Sequence, residues 1–429
     1  MQLKYWSQLT LNAQIDLLKR NPVATDNQLT ATVVDIIDNV RQQGDAALYA
    51  YAKKFDRVQL TNLLVTDEEY KAANSLSDNY KQAIKTAHSN IYHYHSISCP
   101  KEFSYTKDGI ELGKIYRPIE KVGLYVPGGS AVLVSTLMML AIPAQIAQCP
   151  VRVLVTPPRA DGTVDPAILF AAMQCGINQI YKAGGAQAVA ALAYGTQTIP
   201  KVHKIFGPGN KYVTAAKMQV VNSDANVAID MPAGPSEVLV IGDEHANFRF
   251  IASDLLAQAE HDTESQVIFV TTSEQLAQEV SAEVKLQLEF LSRKTIIRQA
   301  LNKSAIIIAA NLEECFKISN LYAPEHLIIH AQNAEKYLKL VVNAGSIFVG
   351  EWSPESAGDY ASGTNHVLPT YGYANMYSGL DVISFMKAIS WQKLSKDGIR
   401  KIGKTIEDLA ELEGLDAHKN AVTVRLQHI

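Results

Sequence analysis

Apolar and polar positions along the chain fall into two successive series of strand-like and helix-like stretches. The strand-like stretches of the first series lie at 121–126, 151–156, 179–183 and 204–206. Those of the second series lie at 237–241, 266–271, 305–309, 326–330 and 346–350. Several are apolar throughout, as is typical of strands buried on both faces of a sheet. Strands that alternate with short helices predict parallel sheets with right-handed crossover connections.

The chain outside these two series is mainly helical in pattern. Apolar positions recur at helical spacing in the segments 26–94, 384–388 and 404–413. Strand-like alternation recurs at 109–117 and 421–426, the latter like an edge strand. Gly414 follows the last helical segment and resembles a C-cap glycine. Between the two series lies the proline- and glycine-containing stretch 229–238, which we interpret as a domain junction.

Composition narrows the class of protein. The chain has 429 residues, 47% of them apolar and 19% charged, which predicts a globular protein of more than one domain. Its formal net charge of −4 argues against a nucleic-acid partner. The longest apolar stretch, 132–147, is interrupted by Pro143 and is shorter than the roughly 20 residues of a bilayer span, so we predict a core helix there.

The cysteines show no pairing pattern. Cys99, Cys149, Cys175 and Cys315 include no CxxC pair, and no signal-peptide pattern opens the chain. We therefore predict buried free thiols, a reducing compartment and a cytoplasmic protein without membrane contact.

Candidate metal ligands lie in distant parts of the chain. Gln258 and His261 are three positions apart on a predicted helix, so they share one face of it. Two donors at this spacing can begin a metal site. The alternative is a polar helix end, where His261 is favoured by the helix dipole.

A polar stretch, 354–370, follows the last predicted strand. We predict a structureless loop there, in which Asp359 could bind a metal, Glu355 could order a ligand or substrate, and His366 could bind substrate. Ligand sites of parallel α/β sheets lie beyond the carboxyl ends of strands, which favours this interpretation. The alternative is a solvated loop with local turns.

Glu325 and His326 form an adjacent acid and imidazole pair after Pro324. They offer two proton carriers of different intrinsic pKa. Neighbours in a regular strand face opposite ways, so a shared site requires irregular backbone, which Pro324 makes plausible. The alternative is an incidental pair at a strand end.

The remaining histidines carry less information. Glu413 and His418 flank Gly414, and a histidine in such a tail is usually inert. We predict surface positions for the histidines without a partner pattern: His88, His93, His95, His203, His245, His330 and His428.

Three glycine-containing turns could approach a phosphate-bearing cofactor, because a helix N-terminus attracts anions. They are VPGGS at 126–130, GGAQA at 184–188 with Gln187 as a polar contact, and FGPGN at 206–210. None matches GxGxxG, so they are weak as a dinucleotide fingerprint and could equally be simple strand-to-helix turns.

Taken together, long blocks of this sequence resemble the histidinol dehydrogenase family. These blocks are VGLYVPGGSA, GGAQA, KIFGPGN, DMPAGPSEVLVI, LLAQAEH, APEHLII, ESAGDYASGTNHVLPTYGYA and AHKNAVTVR, and the resemblance runs from about Asn39 to Arg425. The family oxidises L-histidinol to L-histidine, through L-histidinaldehyde, with two NAD⁺, at the end of histidine biosynthesis. It is a homodimer whose active sites are completed by the partner's C-terminal region.

The resemblance implies roles for individual residues. One zinc ion per subunit would be bound by Gln258, His261, Asp359 and His418. The substrate would be surrounded by Ser236, Gln258, His261, His326, Asp359, His366, Glu413 and His418. NAD would be contacted by Tyr125, Gln187 and Asn210. Glu325 and His326 would be the catalytic proton acceptors, and Glu413 and His418 would reach across the dimer interface.

The resemblance also implies an α/β fold class. It would consist of two Rossmann-like parallel-sheet domains, similar to those of aldehyde dehydrogenases, plus a small helical C-terminal extension. The expected limits are an N-terminal extension at 1–25, a discontinuous zinc and substrate domain at 26–125 and 236–378, an NAD-binding domain at 126–235, and a tail at 379–429.

Two other functions fit the residues alone. A zinc-dependent hydrolase could use Glu325 to activate water, although no HExxH motif occurs. A non-catalytic, metal-stabilised protein could bind histidinol without turnover.

Overall fold

The computed structural model describes residues 1–20, 27–128, 132–232 and 234–429. Its strands in chain order are β1 (Gln2–Tyr5), β2 (Phe103–Lys107), β3 (Ile110–Pro118), β4 (Lys121–Tyr125), β5 (Val151–Thr156), β6 (Gln179–Lys182), β7 (Lys204–Phe206), β8 (Ala228–Ile229), β9 (Glu237–Gly242), β10 (Gln266–Thr271), β11 (Ala305–Ile308), β12 (His326–His330), β13 (Ser346–Val349) and β14 (Met386–Leu394).

The helices lie between and around these strands. In chain order they are α1 (Leu11–Leu18), α2 (Asn27–Gln43), α3 (Asp45–Tyr51), α4 (Asp67–Ala72), α5 (Asp78–Ser98), α6 (Val134–Ile146), α7 (Pro166–Gln174), α8 (Gly185–Tyr194), α9 (Lys211–Val221), α10 (Phe248–Ala259), α11 (Glu274–Leu288), α12 (Lys294–Asn302), α13 (Leu312–Tyr322), α14 (Glu355–Tyr360), α15 (Lys396–Leu412) and α16 (Asp416–Leu426).

Two parallel sheets carry the fold, as the alternating pattern predicts. The first has the strand order β6-β5-β4-β7-β8, and the second has the order β1-β11-β10-β9-β12-β13. A third, antiparallel sheet has the order β14-β3-β2. The predicted α/β class with a helical C-terminal part is therefore confirmed.

Both parallel sheets are covered by helices on their two faces. In β5, Val153 and Val155 pack towards α2, α8 and α9, while Leu154 packs towards α6 and α7. In β9, Val238 and Val240 face α10 and α11, and their neighbours face α13. This period of two, with both faces apolar, explains why the strands are apolar throughout.

The ends of the chain join these layers in ways that the sequence pattern did not indicate. β1 pairs in parallel with β11 at the edge of the six-stranded sheet. The helices of segment 27–98 pack against the five-stranded sheet, with Val33 and Ile91 in its two cores. The predicted domain limits grouped segment 26–125 with 236–378, whereas the packing of its helices places them on the other sheet.

The C-terminal part differs from the prediction in two elements. The segment 384–388, predicted as helix, runs into β14, which pairs with β3 from Met386 opposite Pro118 to Leu394 opposite Ile110. The segment 421–426, predicted as an edge strand, belongs to α16, where Leu426 lies against Gly403 of α15. In both cases a tertiary partner decides between two patterns that short apolar runs satisfy equally. Gly414 ends α15 with φ +70°, as predicted.

The apolar stretch 132–147 forms the buried helix α6, as predicted. Within the described ranges, no helix combines the length and apolar character needed to cross a bilayer. The cysteines are free thiols: Cys149, Cys175 and Cys315 are buried, and Cys99 is partly exposed.

Candidate active site

A cavity of about 900 Å³ lies between the two parallel sheets. One wall comes from the carboxyl ends of β4 and β7, with Gly128 and the turn 207–210. The opposite wall carries Ser236, Glu325 and His326, which stand at the amino ends of β9 and β12.

The site therefore lies at the amino edge of the six-stranded sheet, and the expectation that the stretch 354–370 lies beyond the carboxyl ends of strands is wrong. Helix α10 leaves the carboxyl end of β9 and runs back to the start of β10. Gln258, in its last turn, and His261 consequently arrive at the amino edge of the sheet. The segment after β13 also returns to this edge, because Asp359 lies 3.7 Å from the imidazole of His326.

The peptide unit of Glu237 holds Glu325 and His326 in place. The Glu237 N–H donates to Oε2 of Glu325 at 2.9 Å, and the Glu237 carbonyl oxygen lies 3.2 Å from Nδ1 of His326. The irregular backbone expected before this pair is present: Ala323, the C-cap of α13, has φ +49°. The two side chains consequently share one wall, with Nδ1 of His326 3.5 Å from Oε2 of Glu325.

These contacts define the tautomer of His326. Because a carbonyl oxygen only accepts, Nδ1 must carry the proton that it donates to Glu237. Among the residues that the structure describes, Nε2 is buried and has no hydrogen-bond partner. Nε2 is therefore the atom able to accept a proton inside the cavity.

Burial and neighbouring charges shift the ionisation of this group. Burial raises the pKa of Glu325 to about 8. Burial alone would lower the pKa of His326, but without a cation in the site the neighbouring carboxylates, Glu355 first, raise this pKa well above its usual value and favour the imidazolium. A cation bound by Asp359 would oppose this effect and favour the neutral ring that can accept a proton. Burial acts to raise the pKa of Asp359, yet the contact with His326 keeps it below the ordinary value.

A cluster of metal-type donors lies beside the pair. Donor atoms of His261, Glu355 and Asp359 lie within 4.8 Å of one another. Glu355 and Asp359 stand one turn apart on α14, a short helix inside the stretch that we predicted to be structureless; that prediction is wrong at 355–360. Burial lowers the pKa of His261, which favours the neutral imidazole that metals require.

Gln258 is fully buried between this cluster and Glu237. With its amide oriented to suit its surroundings, the nitrogen donates to Oε2 of Glu355 at 2.8 Å and the oxygen accepts from the Glu237 N–H at 2.8 Å. Glu355 is buried as well, and burial raises its pKa well above the ordinary value. The four predicted side chains Gln258, His261, Asp359 and His326 thus share one wall of the cavity, and Glu355 lies beside them.

His366 lines the cavity in a fixed orientation. Its Nδ1 donates to the backbone oxygen of Asp359 at 2.9 Å, and its Nε2 lies 3.1 Å from the hydroxyl of Thr136. Burial lowers its pKa, so the ring is neutral and the Thr136 hydroxyl donates to Nε2. Sequence reasoning did not identify Thr136, one of three polar residues in the mainly apolar helix α6.

Two histidines predicted at the surface are buried. His95 contacts Asp381 at 3.0 Å and, on its other nitrogen, the amide of Asn365 at 3.3 Å. His330 contacts Asp254 at 3.0 Å. These predictions were wrong because the partners stand far away in the sequence, where spacing carries no signal.

The predicted tail residues do not reach this cavity within one chain. Glu413 and His418 lie on the exposed connection between α15 and α16 and at the start of α16. Among the residues that the structure describes, neither lines the cavity.

The three residues predicted to contact NAD lie at the carboxyl edge of the five-stranded sheet. Asn210 lines the cavity and caps α9, accepting from the N–H groups of Tyr212 and Val213. Tyr125 is buried, its hydroxyl accepts from Gly185 N–H at 3.2 Å, and Gln187 is buried beside the same glycine. Tyr125 and Gln187 are not among the described residues that line the cavity.

Sequence reasoning missed Arg20 and Glu237. The guanidinium of Arg20 donates two hydrogen bonds of 2.8 Å to the carboxylate of Glu237, which is 1% exposed. A signal was present, because Glu237 is a charged residue at the head of an otherwise apolar strand. Buried charges are rarely retained without a partner.

Fold and site define an α/β enzyme with an acid–imidazole pair and a donor cluster between two parallel sheets. A sequence model of histidinol dehydrogenase matches residues 19–426. The chain is 51% identical to the chloroplastic histidinol dehydrogenase of Arabidopsis thaliana, covering 97% of this chain and 90% of that protein. It is 50% identical to the histidinol dehydrogenase of Vibrio parahaemolyticus, covering 100% and 99%. The chain belongs to the histidinol dehydrogenase family.

A solved structure supports the same assignment. The crystal structure of histidinol dehydrogenase from Elizabethkingia anophelis matches with a TM-score of 0.95 and 50% identity, covering 98% of this chain and 97% of that one.

Proposed function

We propose that this chain oxidises L-histidinol to L-histidine, through L-histidinaldehyde, and reduces two NAD⁺. The observation that carries the proposal is His326 on the wall of the cavity between the two sheets, with Nε2 unpartnered among the described residues and Nδ1 3.5 Å from the carboxylate of Glu325. Membership of the histidinol dehydrogenase family supports the substrate and the use of NAD. The family gives no support to the alternative of a zinc-dependent hydrolase.

In the first oxidation, Nε2 of His326 accepts the proton of the alcohol hydroxyl. A hydride leaves the carbinol carbon for the nicotinamide ring as the C=O bond forms, which gives aldehyde, NADH and one proton. The Glu237 carbonyl keeps the imidazole in the tautomer that this transfer requires. The carboxylate of Asp359, near Nε2, stabilises the imidazolium that results.

In the second oxidation, water must add to the aldehyde before hydride can leave again. Glu325 is the acid beside His326, and its carboxylate form can take a proton from that water. The hydrated aldehyde then gives a hydride to the second NAD⁺ and a hydroxyl proton to His326, and becomes the carboxylic acid. One pair of proton acceptors thus serves both steps without a change of site.

We further propose that one zinc ion binds at the donor cluster, through Gln258, His261, Asp359 and the His418 of a second subunit. Donor atoms of two of these residues, His261 and Asp359, lie within 4.8 Å of each other and of Glu355, and zinc accepts imidazole nitrogen and carboxylate oxygen as ligands. Glu355 orients the amide of Gln258 from behind. When bound, the metal supplies a Lewis acid that orients the imidazole and amino nitrogens of the substrate.

NAD would lie along the carboxyl edge of the five-stranded sheet. A second cavity of about 480 Å³ adjoins the main one there, since Pro127, Gly128 and Leu133 line both. The turn 207–210 stands at the head of α9, where the helix N-terminus favours a phosphate group. Asn210 would contact the cofactor directly, and Tyr125 and Gln187 would support the neighbouring turn at Gly185.

A homodimer with shared sites completes the proposal. Apolar side chains are exposed on and beside the α15–α16 connection that carries Glu413 and His418: Leu409 at 55%, Leu412 at 83% and Leu415 at 41%. A surface of this kind favours a protein partner. The free thiols favour a reducing compartment such as the cytoplasm.

The direct test is the reduction of NAD⁺ by L-histidinol, followed by NADH absorbance. We expect two NADH for each histidinol consumed, with histidine as the product. Binding of histidinol without NADH formation would instead leave the protein a non-catalytic binder, and the proposal would be wrong.

A further inference from the structure

The buried ion pair between Arg20 and Glu237 stands directly behind the proton-transfer pair. Arg20 meets Glu237 through two parallel hydrogen bonds of 2.8 Å, from Nε to Oε2 and from Nη2 to Oε1. The Arg20 side chain is 13% exposed and that of Glu237 is 1% exposed. Bidentate pairs of this kind fix the orientation of both partners.

Arg20 also contacts the chain segment that leads into Glu325. Its guanidinium lies 3.6 Å from the ring centroid of Tyr322, the last residue of α13, and Nη2 lies 3.5 Å from the carbonyl oxygen of Ala323. The hydroxyl of Tyr322 in turn donates to the side-chain oxygen of Gln266 at 2.8 Å. One side chain from the N-terminal segment therefore connects the start of β9 with the turn that precedes β12.

The start of β9 and the turn before β12 are also joined through the side chains of Glu325 and His326. The peptide unit of Glu237 donates to Glu325 and accepts from His326, so its position sets both side chains. A displacement of this peptide unit by a fraction of an ångström would lengthen both hydrogen bonds. It would also release the proton on Nδ1 of His326 and allow the other tautomer.

We propose that Arg20 and the side chain of Glu237 are positioning residues for the proton-transfer pair. They hold the Glu237 peptide unit so that Nδ1 of His326 stays protonated and Nε2 stays free to accept the substrate proton. The inference rests on the proposed histidinol oxidation for its role, although its structural content can be tested without activity. Arg20 is not among the described residues that line the main cavity, so we expect its effect in turnover rather than in binding.

The test compares two substitutions of the same kind. Arg20→Met keeps an apolar stem against Tyr322 and removes the hydrogen bonds. Arg152→Met is the control, because Arg152 also bridges two chain segments, through the carbonyl oxygens of Cys175 and Gly176, but at the amino end of β5, far from the cavity. Steady-state kinetics are measured at a temperature where both variants are folded by circular dichroism.

We expect Arg20→Met to lower kcat by about 10-fold to 100-fold, as is common for lost outer partners of a reacting group, with KM for histidinol and NAD⁺ changed less than about threefold. Arg152→Met should keep kcat. Wild-type kcat in folded Arg20→Met, or a loss confined to KM, would overturn the proposal. If Arg20→Met does not fold, Arg20→Lys decides: a lowered kcat supports the proposal and an unchanged kcat overturns it.

A spectroscopic measurement separates this inference from the proposed function. In protein labelled with ¹⁵N-histidine, the ring signals of His326 are assigned by their loss in His326→Asn, and they report which nitrogen carries the proton. In zinc-loaded protein, at a pH where the ring is neutral, we expect Nδ1–H in the wild type and in Arg152→Met, and loss of that single tautomer in Arg20→Met or Arg20→Lys. An unchanged tautomer would refute the inference even if histidinol were not the substrate, whereas an inactive wild type would count only against the proposed function.

Discussion

At the scale of single residues, the two nitrogens of His326 have opposite surroundings. Nδ1 meets a backbone carbonyl, whereas Nε2 faces the cavity near a carboxylate. Main-chain geometry thus decides which ring nitrogen carries the proton in the neutral form. The carboxylate of Asp359 stabilises the positive charge of the ring once Nε2 has accepted a second proton. This arrangement suits a group that accepts a proton and later returns it to solvent.

Replacement of His326 by Asn should therefore abolish turnover while leaving the donor cluster intact. We expect kcat to fall about 100-fold to 10,000-fold, the range of a lost general base, with the zinc content measured by atomic emission unchanged. His245→Asn, at an exposed histidine beyond the opposite edge of the same sheet, is the control and should keep both values. Loss of zinc with unchanged turnover would contradict the assignment.

The ionisation of Glu325 predicts a pH dependence for the second oxidation. Only the carboxylate can take a proton from water, and burial raises the pKa of this group to about 8, so below that pH most of it is protonated. With histidinaldehyde as the starting substrate, kcat should rise about tenfold per pH unit on the acid side and level off above about pH 8. In Glu325→Gln the rate should be low and lose this rise; a rise that persists would assign it to another group.

These residues show what the sequence could reveal about the site. Residue types and family blocks located Glu325, His326, His261 and Asp359, because chemistry and motif are local information. They could not locate Arg20, whose partner is 217 positions away, nor the buried state of His95, whose partner is 286 positions away. Pairings between distant segments depend on the folded chain, and a single sequence carries no periodic signal of them.

At the scale of elements, the direction in which each helix or loop runs decides at which edge of the sheet its side chains lie. The strands of the two alternating series were predicted closely, because apolar runs of this length bounded by glycine and proline favour strands. The edge expected for the stretch 354–370 was wrong because the chain returns after β13 to the amino edge of the six-stranded sheet, where Asp359 lies beside His326. Segment 384–388 failed for a related reason, since β14 forms only where β3 offers a partner.

The turn after β7 is an element that cannot accept a side chain. Gly207 has φ +127°, and a Cβ there would meet the carbonyl oxygen of Tyr125. The Gly207 N–H donates to the carboxylate of Asp230 at 2.7 Å, and Lys217 donates to the carbonyl oxygen of Gly207 at 2.9 Å. These two hydrogen bonds prevent the turn from moving away from the carbonyl oxygen of Tyr125.

Gly207→Ala should consequently lower the free energy of unfolding by about 3 kcal/mol and raise KM for NAD⁺, as measured by urea denaturation and kinetics. Gly350→Ala is the matched control: φ is +86° there as well, but a Cβ would meet nothing within 4 Å, so only about 1 kcal/mol should be lost. Equal losses in both variants would show that backbone strain alone, and not the contact with Tyr125, explains the effect.

At the scale of the whole molecule, one chain supplies most of the proposed site but leaves Glu413 and His418 on its exposed C-terminal helices. The sheets, the cavity and the donor cluster follow from one chain's packing. Completion of the site by a second copy came from the family resemblance, and nothing in the hydrophobic pattern could have indicated it.

Mixed dimers test the sharing of sites. If His418 crosses to the partner's cluster, an Asp359→Ala chain paired with a His418→Ala chain contains one doubly altered site and one unaltered site. We expect each homodimer variant to be inactive and the mixed dimer, isolated through two different tags, to recover about half of the wild-type activity. No recovery in a mixed dimer that contains both chains would show that each chain uses its own His418.

The groups that hold Glu325 and His326 from behind are an amide and a carbonyl of the main chain, and every amino acid carries that carbonyl. Ordinary coding changes at position 237 cannot delete the acceptor, and only proline would delete the donor. Natural mutations can therefore change the proton affinity of the His326 imidazole mainly by moving the backbone at position 237. Laboratory selection for altered proton transfer should accordingly enrich substitutions of the residues that hold the Glu237 peptide unit in place, such as Arg20, before substitutions of Glu325 and His326 themselves.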